Sequence, residues 1–207
     1  MSRKHIITIS GKPGSGKSST ANRVANLLGY KRYSSGDFVR NIVRKHNITL
    51  ADFNNQAGKD PAIDHEIDEE LRLLRNENDI VIDSRLGFYW IPESFKVYLE
   101  LDLAVATARI YRDMLKNSNR SDIEKGESIS GVRVMVETRL ANERKRFSDL
   151  YGINPYNTST FDLVINTSRH SPQTVALTIY DFYNKWLNQE TWNRVVSEVP
   201  LGYSFSK

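Results

Sequence analysis

Gly11-Lys12-Pro13-Gly14-Ser15-Gly16-Lys17-Ser18 satisfies the pattern G-x-x-x-x-G-K-[ST] at every fixed position. Glycine at 11, 14 and 16 frees the backbone to curl so that successive N–H groups face inward, and a helix starting at Ser18 adds the positive end of its dipole. Such a nest suits a triphosphate. Lys17 would bridge the β- and γ-phosphates, and the Ser18 hydroxyl would ligate Mg²⁺ beside them. Asp83 closes the run Asp79-Ile-Val-Ile-Asp83 and is placed to hold the same metal through water. An aspartate at a strand end also serves as a turn or cap residue.

A phosphotransferase needs a second pocket facing the γ-phosphate. Ser35-Gly36-Asp37-Phe38-Val39-Arg40 sets Arg40 one turn into a helix, and Asp83-Ser84-Arg85 sets Arg85 just past a strand. Two guanidiniums converging on one crevice suit a phosphate monoester, since each donates two hydrogen bonds in a planar fork. Arg109 and Arg112 sit three apart, and Arg139, Glu143 and Arg146 fall on one helical stripe at i, i+4 and i+7. Basic stripes flanking a polar excursion suit a lid that closes over a transferring phosphoryl group. The plain alternative is a set of solvated faces and surface salt bridges.

The elements that must carry these residues follow from periodicity. His5 to Ser10 reads as a buried strand that stops at Gly11, followed by a helix from Ser18 closed by Gly29. Tyr30 to Tyr33 reads as a second strand, leading to a helix from about Phe38 to Lys45 capped by Asp37. A short helix from Thr49 to Asn55 and a longer one from Asp60-Pro61 to about Asn76, with a strongly acidic solvent face, come next. Strands are expected at Asp79 to Asp83, Phe95 to Leu101 and Phe161 to Asn166, and helices at Leu103 to Leu115, Val132 to Asp149 and Pro172 to Trp186. Lys116 to Gly131 reads as a mobile polar excursion. Strands alternating with helices imply an α/β fold, a mostly parallel sheet with helices on both faces and its ligands beyond the C-terminal strand ends.

At 207 residues one domain is expected, and with 39% hydrophobic and 26% charged residues the chain is neither disordered nor collagen-like. The absence of cysteine excludes disulfides, a thiol nucleophile and a thiolate metal site, and fits a reducing cytosol. No run approaches a transmembrane span and no signal-peptide core is seen, so a cytoplasmic protein is expected. The formal net charge of +4 fits nucleic acid, a membrane surface or small polyphosphates. His5, His46, His65 and His170 show no metal-ligand spacing. Tyr180, Phe182, Tyr183 and Trp186 read as the core side of a helix, with a tail carrying Trp192, Tyr203 and Phe205 docked over it, in preference to a base-stacking surface.

At Gly11 to Ser19, Ser35 to Arg40, Asp83 to Arg85 and Arg139 to Arg146 the chain resembles the nucleoside monophosphate kinases, most of all the short archaeal-type cytidylate kinases. Asp60 to Asp64 with Glu66 to Asp68, Tyr151 to Asn154, and Asp162 to Thr167 before Ser171-Pro172 carry the likeness further. The resemblance implies a three-layer phosphate-loop NTPase fold over residues 1–207, with an acceptor-binding segment at about 34–78 and a lid at about 116–131. It implies reversible transfer of the γ-phosphoryl of MgATP to CMP or dCMP, by a monomer that binds neither nucleic acid nor membrane. On that basis Gly11, Lys12, Pro13, Gly14, Ser15, Gly16, Lys17, Ser18 and Ser19 bind ATP, and Ser18 and Asp83 hold Mg²⁺. Ser35, Asp37, Arg40, Arg85, Arg139 and Glu143 hold the acceptor, and Lys17, Arg109, Arg112, Arg139 and Arg146 act in catalysis. Asp64 or Asp68 accepts from the cytosine amino group, or else both lie on an exposed acidic face.

The chain departs from the family in Ser84 before Arg85, in the bulkier Leu86-Gly-Phe-Tyr-Trp90, in Lys12 within the loop and in the length of Asn117 to Gly131. A kinase for AMP, UMP or a small metabolite keeps the phosphate loop and changes only the second pocket. A non-catalytic nucleotide- or RNA-binding module would not need the second arginine set.

Overall fold

The computed structural model describes residues 3–49, 61–116 and 128–198. The strands are β1 (Ile6–Gly11), β2 (Lys31–Ser34), β3 (Ile80–Asp83), β4 (Phe95–Glu100), β5 (Leu163–Asn166) and β6 (Val195–Glu198). They form one sheet in the order β2-β3-β1-β4-β5-β6, and every neighbouring pair is parallel. The helices are α1 (Lys17–Leu28), α2 (Ser35–Lys45), α3 (Pro61–Leu73), α4 (Gly87–Trp90), α5 (Leu103–Lys116), α6 (Ile129–Tyr151) and α7 (Pro172–Asn188).

Alternation along β1 sorts the core into two layers. Ile7 and Ile9 join Val97, Leu99 and Ile165 beneath α1 and α7, where Ala21, Val24, Val175, Ile179 and Tyr183 are fully or almost fully buried. Ile6 joins Ile80 and Ile82 on the other face, under Ile42 of α2 and Ile67 and Leu71 of α3. Burial of the central parallel strands on both faces explains why β1, β3 and β5 read as nearly continuous apolar runs. With β3 and β4 flanking β1, the ends of these strands and their loops gather at one rim. Ile9 lies in register with Asp83, and Gly11 with Leu99.

Several boundaries differ from the sequence reading. α2 starts at Ser35, three residues early, with Ser34 at its N-cap, so Asp37 lies inside the first turn and is not the cap. α6 starts at Ile129, because the Ser128 side chain accepts from Gly131 N and caps a turn whose glycine reads as loop. Lys116 likewise ends α5, so the excursion narrows to 117–127, which lies outside the described residues. The proposed helix from Thr49 to Asn55 falls almost wholly outside them as well. β6 and α4 have four residues each, too short to show a period, and were not expected. Trp192 packs against the core under α7 as foreseen for the tail, while Tyr203 and Phe205 lie outside the described residues.

Candidate active site

β1 delivers the chain into the phosphate loop at Gly11, whose φ is +149°. A Cβ there would stand 2.4 Å from the Leu99 carbonyl oxygen, so β4 passes too close for any side chain. Gly14 and Gly16 adopt φ of +75° and +83°, the left-handed region where glycine carries no steric cost. Lys17 folds back over the loop and donates to the Gly11 and Lys12 carbonyls, both at 3.0 Å. Burial lowers its pKa well below the ordinary lysine value, and Arg85 adds to the effect. The Ser15 hydroxyl is buried in the loop with no hydrogen-bond partner. A loop shaped by three positive-φ glycines, a part-buried ammonium folded over it and an orphaned hydroxyl fit a phosphate chain.

Beside the loop, the Ser18 hydroxyl donates to Asp83 Oδ2. Among the described residues no group of three or more His, Cys, Asp or Glu side chains could form a metal cage. A hydroxyl and one carboxylate next to a phosphate nest fit Mg²⁺, which keeps several waters and takes its other ligands from substrate phosphates. Arg32 of β2, absent from the sequence-derived set, donates to Asp83 Oδ2 at 3.3 Å and lies 3.8 Å from Asp37. A cation on a short edge strand looks like a solvent-facing residue, and only the β2–β3 pairing brings it to Asp83.

The second cluster forms where α6 crosses this rim. Arg85 Nε donates to Glu143 Oε2 at 2.7 Å, Arg139 Nε donates to Glu143 Oε1 at 2.9 Å, and the Tyr156 hydroxyl donates to Glu143 Oε2. Burial pushes the Glu143 carboxyl up, but Arg85 and Arg139 outweigh it and hold it well below the ordinary carboxylate range. Lys17 is acted on by Arg85, Asp83, Glu143 and Arg139, so the two clusters share one electrostatic environment. Tyr156 was not singled out in the sequence, because nothing local distinguishes it from a loop tyrosine.

Other expected residues stand elsewhere. Arg109 Nη2 donates to the carbonyls of Thr167, Ser168 and His170 at 2.7, 3.3 and 3.4 Å, bracing the loop after β5. Thr167 of that loop donates to the Ser15 carbonyl at 3.3 Å, tying the brace to the phosphate loop. Arg112 and Ser19 are exposed. Arg40 pairs with Asp37, both about half exposed, while Ser35 donates weakly to the Asp83 carbonyl at 3.4 Å. Lys12 pairs with Glu100 at the end of β4. Arg146 lies 3.7 Å from Asp64 of α3. Asp64 and Asp68 are 4% and 3% exposed, which overturns the exposed acidic face: both turn inward from a helix whose Glu69 and Glu70 face solvent.

A family model described as "Cytidylate kinase-like family" matches residues 6–169. The chain belongs to the cytidylate kinase-like family. It is 34% identical over 179 residues to the cytidylate kinase of Halobacterium salinarum, covering 85% of this chain and 88% of that one. It is also 33% identical over 199 residues to an S-adenosylmethionine-dependent nucleotide dehydratase of Lacinutrix mariniflava, covering 95% of this chain but 38% of that protein. Shikimate kinase from Acinetobacter baumannii in complex with shikimate aligns over 90% of this chain and 96% of its own at a TM-score of 0.61 and 16% identity, a likeness of fold alone. As a member of the cytidylate kinase-like family the chain is a nucleoside monophosphate kinase, a transferase that takes ATP as phosphoryl donor. No helix among the described residues is long and apolar enough to cross a membrane.

Proposed function

We propose that the protein transfers the γ-phosphoryl group of MgATP to CMP or dCMP, giving the diphosphate and ADP. What supports the reading most is the juxtaposition of an enclosed Lys17 with the Arg85–Glu143–Arg139 cluster at one sheet rim. A nucleotide-binding module needs the first of these, whereas a second phosphate-bearing substrate needs both.

In this reading Gly11 to Ser19 cradle the donor phosphates, and Lys17 leaves the carbonyls it holds to bind the β- and γ-oxygens. Ser18 and Asp83 hold the metal, which when bound neutralises charge between those phosphates. Arg85 and Arg139 offer their unoccupied guanidinium nitrogens to the acceptor phosphate while Glu143 fixes both side chains and faces the acceptor sugar. Asp37 and Arg40 flank the acceptor side from α2, with Ser35 at its start. Arg109 keeps the donor-side loop in place, and Arg112, exposed three residues further along α5, acts on the transferring phosphoryl group. Little covalent chemistry is asked of the protein: alignment and charge neutralisation carry the step. The enzyme acts as a cytoplasmic monomer on small nucleotides.

A turnover panel of MgATP with CMP, dCMP, UMP, AMP and GMP, followed by coupled ADP release, tests this reading. CMP and dCMP are expected to accelerate ADP formation most. The reading fails if no monophosphate accelerates it over ATP alone.

A further inference from the structure

Lys12, Glu100, Thr167 and Ser15 close a ring around the first half of the phosphate loop. The Lys12 ammonium pairs with the carboxylate of Glu100, the last residue of β4, and lies 3.5 Å from the Leu101 carbonyl oxygen. The Glu100 carbonyl accepts from the Thr167 backbone N–H at 2.9 Å and from the Thr167 hydroxyl at 3.1 Å. That hydroxyl is shared with the Ser15 carbonyl at 3.3 Å, and the Ser15 N–H donates to the Lys12 carbonyl at 3.3 Å. The ring ties the loop to β4 and to the segment after β5, and Arg109 braces it from outside through the Thr167 carbonyl.

Its links differ in strength. Ser15 and Thr167 are buried, so their bonds are sheltered from water. The Lys12 and Glu100 side chains are 31% and 30% exposed, which makes their ion pair the weaker, screened link. Glu100 is nonetheless held in place, because its Oε1 also accepts from the Leu101 N–H at 3.1 Å. What the ring fixes is the Lys12 carbonyl, which takes the Ser15 N–H and, at 3.0 Å, the Lys17 ammonium. A loop with glycines at 11, 14 and 16 has much backbone freedom to lose, and a loop tied in advance loses it on folding instead of on binding.

We infer that Glu100, acting through Lys12, is a positioning residue for the phosphate donor. With Thr167 it holds the phosphate loop in its binding shape ahead of the nucleotide, and the Lys12 ammonium acts on β4 and not on the phosphates. The inference rests on the proposed kinase reading for the identity of the donor, and it concerns the donor side alone.

The test measures the Kd for ADP with Mg²⁺ by calorimetry, and kcat with KM for MgATP and for CMP. Glu100→Ala is expected to weaken ADP binding and to raise KM for MgATP by about fivefold. KM for CMP and kcat should stay within about twofold, because bound phosphates reimpose the loop geometry. Lys12→Ala should match Glu100→Ala, the double variant should be no worse than either, and Lys12→Arg should restore most of the affinity. Thr167→Val should weaken ADP binding in the same direction; if it fails to fold, Glu100→Ala at the exposed rim still decides. Tighter ADP binding in Glu100→Ala would make Lys12 a phosphate ligand that Glu100 restrains, and overturns the inference. Unaltered binding in folded Glu100→Ala, or additive losses in the double variant, overturns it too. A full chain that turns over no monophosphate, yet shows these shifts in ADP binding, defeats the kinase reading and leaves the ring standing.

Discussion

Arg85, two residues past β3, donates through Nε to Glu143 in the middle of α6 at 2.7 Å, with both side chains largely buried. This contact spans the gap between the phosphate loop's neighbouring strand and the helix that follows 117–127. It occupies one edge of the guanidinium and leaves the fork beyond it for an anion. Removing one partner of such a pair leaves an uncompensated charge, so Glu143→Ala is expected to cost about 3–5 kcal/mol. The expected drop is read by urea denaturation, and a stability equal to the unmodified chain would mean that the pair is not formed.

The same carboxylate sets an acid limb. Burial alone would raise its pKa, but Arg85 and Arg139 depress it, so the folded value lies below the unfolded one. Its contribution is therefore fully present above the ordinary glutamate pKa of about 4.3 and is lost as pH falls through the folded value. The stability difference between the unmodified chain and Glu143→Gln should shrink as the medium is acidified below that point. A difference that stays constant on acidification would contradict the assigned direction.

Lys17 is held over the phosphate loop at the cost of desolvation. Lys17→Ala is expected to lose about 10²-fold or more in turnover, in line with removal of one preorganised donor. Because an enclosed ammonium is unfavourable in the free protein, the melting temperature should stay level or rise. Near-normal turnover in the coupled assay with ATP and CMP would remove Lys17 from the reaction.

Asp83→Asn keeps the shape that Ser18 and Arg32 bond to but withdraws the charge. The Mg²⁺ concentration giving half-maximal turnover should rise by about tenfold or more, a loss that excess Mg²⁺ partly restores. Paramagnetic titration of Mn²⁺ in the presence of ADP provides a second measure. An unaltered metal requirement would assign Asp83 to structure.

Gly11→Ala forces a Cβ to within 2.4 Å of the Leu99 carbonyl and 2.9 Å of Ser15 Oγ. The first contact is backbone and cannot rotate away, so β1 and β4 must separate. A loss of more than about 2 kcal/mol is expected, read by thermal or urea denaturation. An alanine variant as stable as the unmodified chain would show that this close approach is relieved elsewhere.

What could be read along the chain was whatever is local or periodic. The phosphate loop was legible because its glycines, Lys17 and Ser18 act through spacings of a few residues between a strand and a helix. The parallel sheet was legible because β1, β3, β4 and β5 are continuous apolar runs separated by helical periods. Short elements were not: β6 pairs only because β5 offers it an edge, and the start of α6 depends on one serine reaching back to a glycine amide.

Partner choice among charged side chains belonged to the tertiary structure. Arg109 and Arg85 are alike in sequence terms, yet one braces three carbonyls after β5 and the other meets a carboxylate 58 residues away. Asp64 and Asp68 share a helix face and a chemistry. Only the tertiary structure brings the Trp90 and Tyr151 donors to Asp68 and leaves Asp64 facing Arg146 at 3.7 Å. A side chain's type and period decide what it is able to do. Which group it meets depends on chain segments folded against it from far along the sequence, and a local pattern carries no record of them.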